Sequence, residues 1–156
     1  MAWLDANMVP DDGRVSLVHG DYRIDNIMFA KDAPRALAVM DWELSTLGHP
    51  FADLAYQGLF WRWAGSPELQ GLGGRDLPAG IPGEDDYVAR YCRRTGLAGI
   101  PKWNFYVAFG AFRLAAITQG VRKRALDGNA SSERAMQVGA LARPMAALGV
   151  EAAERA

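Results

Sequence analysis

His19-Gly20-Asp21-Tyr22-Arg23-Ile24-Asp25-Asn26 follows the short β-type run Val15-Ser16-Leu17-Val18, and Asp41-Trp42-Glu43 closes another apolar run, Ala36-Leu37-Ala38-Val39-Met40. An Asp on a loop after a β-run, an Asn five residues on, and a second Asp ending a later β-run have a mechanical meaning. Phosphoryl transfer asks little covalent work of a protein. It needs a carboxylate to orient an attacking hydroxyl and accept its proton, and oxygen ligands to hold Mg2+ on the phosphates. A hard cation takes carboxylate and amide oxygens, which Asp41 and Asn26 can supply. Taken singly, Asp21, Asn26 and Asp41 are ordinary turn or strand-end residues. His19-Gly20 before them, Asp-Trp-Glu after them and the helical stretches downstream favour the chemical reading.

Working outward, the segment through Gly13 ends in the turn cluster Pro10-Asp11-Asp12-Gly13. Ile27-Met28-Phe29-Ala30 is a further β-run, and Lys31-Asp32-Ala33-Pro34 turns the chain into the run at Ala36. This alternation predicts a small sheet or paired hairpins. Phe51, Leu54, Ala55, Leu59 and Phe60 then recur at helical spacing, which predicts a buried helix over 52–63. Residues 64–83 are a loop rich in Gly and Pro. Glu84 to Thr95 reads as a helix with acids in its first turn and Gly96 past its end. A long helix begins near Pro101 and runs to about Leu126, with Phe105, Phe109, Phe112, Ala116 and Val121 on its apolar face. A last helix spans about Ser131 to Leu148, with Ser131 or Ser132 as its cap, Glu133 as an early acid, and Pro144 kinking it or starting a new turn.

Of the 156 residues half are apolar, enough for one domain with a core of its own. Net charge is −1, so no global field favours nucleic acid or an anionic membrane. The charge is uneven: residues 1–83 hold 6 basic against 11 acidic side chains, and residues 84–156 hold 11 against 7. A single cysteine, Cys92, allows no intrachain disulfide and makes a reducing, cytoplasmic setting the default. Met1-Ala2-Trp3-Leu4-Asp5 lacks the basic and apolar regions of a signal peptide. Arg113 interrupts the best candidate for a membrane span.

The segment His19–Asn26 resembles the catalytic loop of aminoglycoside-phosphotransferase-like kinases, which have His-Gly-Asp where protein kinases have His-Arg-Asp. Asp41-Trp42-Glu43 stands where protein kinases have Asp-Phe-Gly. The wider stretch His19 to Asn26 and Val39-Met-Asp-Trp-Glu-Leu-Ser-Thr-Leu-Gly-His-Pro-Phe-Ala-Asp-Leu-Ala55 resembles one branch, the kinase-like domains fused to, or encoded beside, acyl-CoA dehydrogenases. Tyr87-Val-Ala-Arg-Tyr-Cys92, Trp103-Asn-Phe-Tyr106 and Phe112-Arg-Leu-Ala-Ala-Ile-Thr-Gln-Gly-Val121 fit the same branch. The resemblance covers nearly the whole chain and only the C-terminal lobe of the family's fold. It implies an α+β, mostly helical domain over residues 1–156, a protein-kinase-like C-terminal lobe whose few short strands carry the catalytic loop. It implies Asp21 as the catalytic base, with Arg23 neutralising charge that develops beside it. Asn26 and Asp41 become the ligands of Mg2+ and, through it, of ATP. His19 and Asp53 become structural supports, Asp53 by accepting backbone N–H bonds from the catalytic loop.

A kinase of this type also needs a Gly-rich loop and a strand Lys on the phosphates. Neither precedes His19, and the first lysine is Lys31. The expectation is therefore a lobe whose N-terminal nucleotide lobe is absent: a fragment, a truncated gene product or a standalone lobe. Such a lobe, alone, should bind ATP weakly, transfer no phosphate and expose apolar residues around Trp3, Leu4 and Val15–Val18, an exposure that makes a homodimer one of its possible partners. Gly71-Leu72-Gly73-Gly74 fits no phosphate-loop pattern. Trp61, Trp63, Trp103 and Tyr106 read as core aromatics, with pocket lining as the alternative. Glu43 either reaches a metal through water or braces the loop. Arg122-Lys123-Arg124 reads as a solvated helix end.

Three functions follow. The first is ATP-dependent phosphorylation of a small-molecule hydroxyl, realised in a full-length protein. The second is a non-catalytic lobe binding a small molecule or a protein. The third is a metal hydrolase using His19, Asp21, Asp41 and His49. The basic second half argues against polycationic aminoglycosides and for an anionic hydroxy compound, and the branch points to a hydroxyacyl-CoA or a related derivative.

Overall fold

The computed structural model describes residues 1–129 and 134–156. A short helix α1 (Ala2–Ala6) precedes strand β1 (Ser16–Val18). Strands β2 (Ile27–Phe29), β3 (Ala36–Val39) and β4 (Thr46–Gly48) follow, then helices α2 (Phe51–Arg62), α3 (Glu84–Thr95), α4 (Trp103–Leu126), α5 (Ala135–Ala140) and α6 (Ala142–Glu154). The α+β, mostly helical architecture is the one anticipated.

The strands form two antiparallel ribbons, one nested in the chain path of the other. β1 pairs with β4 in the register Leu17↔Leu47. β2 pairs with β3 in the register Ile27↔Val39. Two facts about this region escaped the sequence reading: α1, and β4, whose Thr46-Leu47-Gly48 has no alternation to betray it. The nesting brings the end of β1, which leads into His19, beside the turn after Asp41.

The helical expectations hold within a residue or two for α2, α3 and α4. Gly96 adopts φ 73° and closes α3 with its N–H side of the turn satisfied through Leu97 N to Cys92 O at 2.9 Å. The last helix differs. It is divided at Leu141 into α5 and α6, and it continues to Glu154 rather than ending near Leu148. Pro144 explains the break. Its nitrogen cannot donate to the carbonyl of Ala140, so the proline sits in the first turn of a new helix, where that donor is not needed. The expected caps Ser131 and Ser132, with Glu133, lie outside the described residues.

The core lies among α2, α4 and α6. Phe51, Leu54, Ala55 and Leu59 of α2 meet Val107 and Ala111 of α4, and Met145, Leu148 and Ala152 of α6 close the far side. Each large apolar side chain buried here contributes about 1.5–3 kcal/mol. Trp3 and Leu4 pack against this core, with the Trp3 ring 6.3 Å from that of Phe105. The expected exposure is thus corrected at Trp3, Leu4 and Val18. Val18 is buried, Val15 and Leu17 are open as expected, and further open apolar side chains include Leu47 on β4 and Met28, Phe29 and Leu37 on the second ribbon.

Candidate active site

Helix α2 holds the loop 19–22 from below. Asp53, Tyr56 and Gln57 lie three and four residues apart, hence on one face. Asp53 accepts the backbone N–H of His19 at 2.6 Å and that of Gly20 at 2.9 Å. Tyr56 donates its hydroxyl to Asp21 Oδ1 at 2.9 Å. Gln57 donates its amide to the carbonyl of Tyr22. From α4, Arg113 donates to the carbonyl of Gly20. Gly20 sits at φ 86°, and a Cβ there would fall 2.6 Å from the Leu44 carbonyl oxygen. No other residue fits that position without moving backbone.

His19 is buried, 2% exposed. Its Nδ1 accepts the N–H of Asp21 at 3.2 Å, so the ring proton is on Nε2, which donates to the carbonyl of Met40 at 2.7 Å. One imidazole therefore ties Asp21 to the residue preceding Asp41. The Trp42 ring packs on it with centroids 4.7 Å apart.

Asn26 turns its amide NH2 to Asp21, reaching Oδ2 at 3.0 Å and the carbonyl at 2.9 Å. Its backbone carbonyl accepts the N–H of Met40 at 2.8 Å, which places Asn26 and Asp41 at the same end of the β2–β3 ribbon. Asp41 is exposed and held at φ 64°, ψ 56°, a left-handed conformation that a non-glycine residue adopts at a cost. It stands at the N-cap of the turn Trp42–Leu44 and makes no capping bond. The structure brings Asp21, with both oxygens engaged, into contact with the Asn26 amide NH2, and Asp41 follows Met40, whose N–H bonds Asn26 at the same end of the ribbon. Arg23 Nε lies 3.9 Å from Asp21 Oδ2, and its Nη2 pairs with Asp25 at 3.1 Å.

Burial pushes the Tyr56 phenol well above its ordinary value of 10, and the adjacent charge of Asp21 and the bond to it push the same way. Tyr56 is therefore a protonated hydrogen donor to Asp21 at neutral pH.

Arg23, Ile24 and Asp25 also form one wall of a cavity of about 640 Å³, whose other walls come from α2 (Gln57, Phe60, Trp61), the loop 67–72 with Arg75, Ile81 and Pro82, and Tyr87 of α3. The lining is mostly apolar, with two arginines against two carboxylates, Asp25 and Glu68.

Residues 1–104 match the phosphotransferase enzyme family. The chain belongs to that family. Among its relatives are acyl-CoA dehydrogenase family member 10 of Mus musculus, 49% identical over 94% of this chain and 14% of that protein, and acyl-CoA dehydrogenase family member 11 of Homo sapiens, 40% identical over 98% of this chain and 20% of that protein. A crystal structure assigned as an aminoglycoside phosphotransferase from Ralstonia eutropha superposes with a TM-score of 0.90 at 48% identity, over 99% of this chain and 47% of that one. This phosphotransferase-family chain thus spans about half the length of that structure and a fifth or less of those relatives.

Within the phosphotransferase-family frame, several side chains fall where the sequence left alternatives. Trp61 lines the cavity. Trp63, Trp103 and Tyr106 pack against or within the core, and Trp103 donates its indole N–H to Glu84 at 2.7 Å. Gly71 and Gly73 serve close backbone packing: a Cβ on either would strike the Trp63 or Arg62 carbonyl. The hydrolase set is not assembled. His49 faces Asp12 at 3.3 Å and stacks on Tyr106, and both ring nitrogens of His19 are committed. Among the described residues no group of three or more His, Cys, Asp or Glu side chains is placed to hold a metal ion. Glu43 is exposed and Lys123 pairs with Asp127, as a solvated helix end does. Among the described residues no helix is long and apolar enough to cross a membrane. Sequence reasoning missed Tyr56, Gln57 and Arg113. Their signal was present: polar groups at positions 56 and 57 share a helix face with Asp53, and Arg113 interrupts an apolar face.

Proposed function

We propose that the full-length protein transfers the terminal phosphoryl group of ATP to a hydroxyl of a small molecule, with Asp21 as the base. The observation that carries this reading is the division of labour among Asp21, Asn26 and Asp41. Asp21 is fixed by Tyr56, by Asn26 and, through its own N–H, by His19, while Asn26 Oδ1 and the Asp41 carboxylate take no donor among the described residues. Two unspent oxygen ligands at one end of the β2–β3 ribbon suit Mg2+, which binds through one or two protein oxygens and fills its remaining positions with phosphates and water. Bound there, the ion would neutralise charge on the phosphates. Asp21 orients the acceptor hydroxyl and takes its proton as the oxygen bonds to phosphorus and the bond to ADP breaks. Arg23, beside Asp21 Oδ2, offsets the charge that gathers on the transferred group.

The cavity beside Arg23 is the proposed acceptor site. Its apolar lining favours a substrate with a hydrocarbon body, and its balance of two arginines and two carboxylates gives no acidic excess to attract a polycationic aminoglycoside. Among the described residues the basic second half of the chain contributes only Tyr87 to the lining, so that bias does not bear on the cavity. A hydroxyacyl-CoA or related hydroxy acid derivative fits these features, and the names of the acyl-CoA dehydrogenase relatives support the same class. The exposed ribbon residues Leu17, Leu47, Met28 and Leu37 are the proposed seat of the nucleotide-holding part of the phosphotransferase fold. The cytoplasm is the proposed location, in keeping with a single, buried cysteine.

The test presents the full-length protein and Mg·ATP with a hydroxyacyl-CoA, the free hydroxy acid and an aminoglycoside, and follows ADP release and phosphate esters by phosphorus NMR. Phosphorylation of the acyl derivative is the expected result. Preference for the aminoglycoside would overturn the acceptor assignment, and absence of any phosphate ester would favour a non-catalytic binding lobe.

A further inference from the structure

Of the groups α2 sends to the loop, only the hydroxyl of Tyr56 reaches the side chain of Asp21; Asp53 and Gln57 address backbone. The tyrosine is 6% exposed, and its ring meets Phe60 edge-on at 5.8 Å. Phe60 is itself a wall of the cavity beside Arg23, so one aromatic contact joins the proposed acceptor site to the base. We infer that Tyr56 is a positioning residue for phosphoryl transfer, whose buried hydroxyl fixes the Asp21 carboxylate so that Oδ1 is held by α2 and Oδ2 faces Asn26 and Arg23. The inference rests on the phosphotransferase reading given above.

The physical reason is rotational. A carboxylate on a single carbon bond turns easily, and two donors on opposite oxygens stop it. Asn26 Nδ2 alone, at 3.0 Å, would leave a pivot. Arg23 Nε waits 3.9 Å from Oδ2, and its Nε atom is buried without a hydrogen-bond acceptor among the described residues. A freed carboxylate would swing to Arg23 and form a tight ion pair, drawing the base away from the acceptor hydroxyl. The charges that surround the Tyr56–Asp21 pair are Arg23 from the loop and Arg113 from α4. Burial and the Asp21 charge keep the phenol protonated, so Tyr56 donates and does not compete as an anion.

Tyr56→Phe removes one oxygen and keeps the ring in its place against Phe60. In the full-length protein it should lower kcat about ten- to a hundredfold, the worth of one hydrogen bond to a charged group, while KM for ATP and for the acceptor stays within about twofold. The melting temperature read alongside shows whether the fold is kept. A purely structural role would instead lower melting and raise KM. A second measurement is independent of turnover: the carbon-13 resonance of the Tyr56 Cζ in wild type and in Asp21→Ala. It should move when the carboxylate is removed. Wild-type kcat in Tyr56→Phe, or an unmoved Cζ resonance, overturns the inference. A wild-type protein that phosphorylates no hydroxyl overturns the phosphotransferase reading instead, and the Cζ resonance still decides whether Tyr56 holds Asp21.

Discussion

The carboxylate of Asp53 meets the backbone N–H of His19 at 2.6 Å, across 34 residues of chain, and its second oxygen takes the N–H of Gly20 at 2.9 Å. Both donors stand at the entrance to the catalytic loop. Asp53→Ala leaves them without an acceptor, at a cost of about 2–4 kcal/mol in unfolding free energy. Urea unfolding checks the loss, and faster amide exchange at His19 and Gly20 localises it. Unchanged stability would show that water replaces the carboxylate freely.

Glu84 ties three helices together. It takes Arg62 of α2 through both oxygens, at 2.6–3.0 Å, and the indole N–H of Trp103 at the start of α4. The side chains of Arg62 and Glu84 are 16% and 18% exposed, so the pair is largely shielded from water. Glu84→Ala strands the guanidinium and should cost about 3–5 kcal/mol, whereas the double change Arg62→Met with Glu84→Met should cost less than that single one. Chemical denaturation of the two variants decides it.

Acid should weaken the clamp at the N-terminal segment. The backbone N–H of Arg14 lowers the Asp12 carboxyl below its ordinary 3.8, desolvation opposes this, and the Arg14 and His49 charges add to the lowering. A depressed folded value means that the contribution is present in full above 3.8 and is lost as pH falls through the lower folded value. The difference in melting temperature between wild type and Asp12→Ala should therefore shrink as pH falls from about 5 to about 3. A difference that grows on acidification would contradict this origin.

Much of the fold was legible because its signals are local. Glu84-Asp85-Asp86 at one end and Gly96 at the other define α3, and the apolar spacing of Phe51, Leu54, Ala55 and Leu59 defines α2. Asp21, Asn26 and Asp41 stood out by spacing along the chain. What stayed hidden depends on contacts distant in sequence. β4 exists because β1 pairs with it, 30 residues earlier in the register Ser16↔Gly48 to Val18↔Thr46. Trp3 and Leu4 look like open apolar residues until the core, with Phe105 beside Trp3, is seen against them. Tyr56 reads as one more aromatic on a buried helix, and only the 2.9 Å approach to Asp21 gives its hydroxyl a purpose. Pro144 announced a break without saying where. The lost bond to Ala140 puts it at Leu141.

The central claim is the separation of roles between Asp21 and the pair Asn26 and Asp41. Calorimetric titration of Mg·ATP into the full-length Asp21→Asn and Asp41→Ala variants, with phosphotransfer measured on the same samples, tests it most directly. Asp21→Asn should bind Mg·ATP as wild type does and lose at least about a hundredfold in turnover. Asp41→Ala should lose Mg·ATP binding and turnover together. Wild-type rates in both variants, or loss of Mg·ATP binding in Asp21→Asn with none in Asp41→Ala, would contradict it.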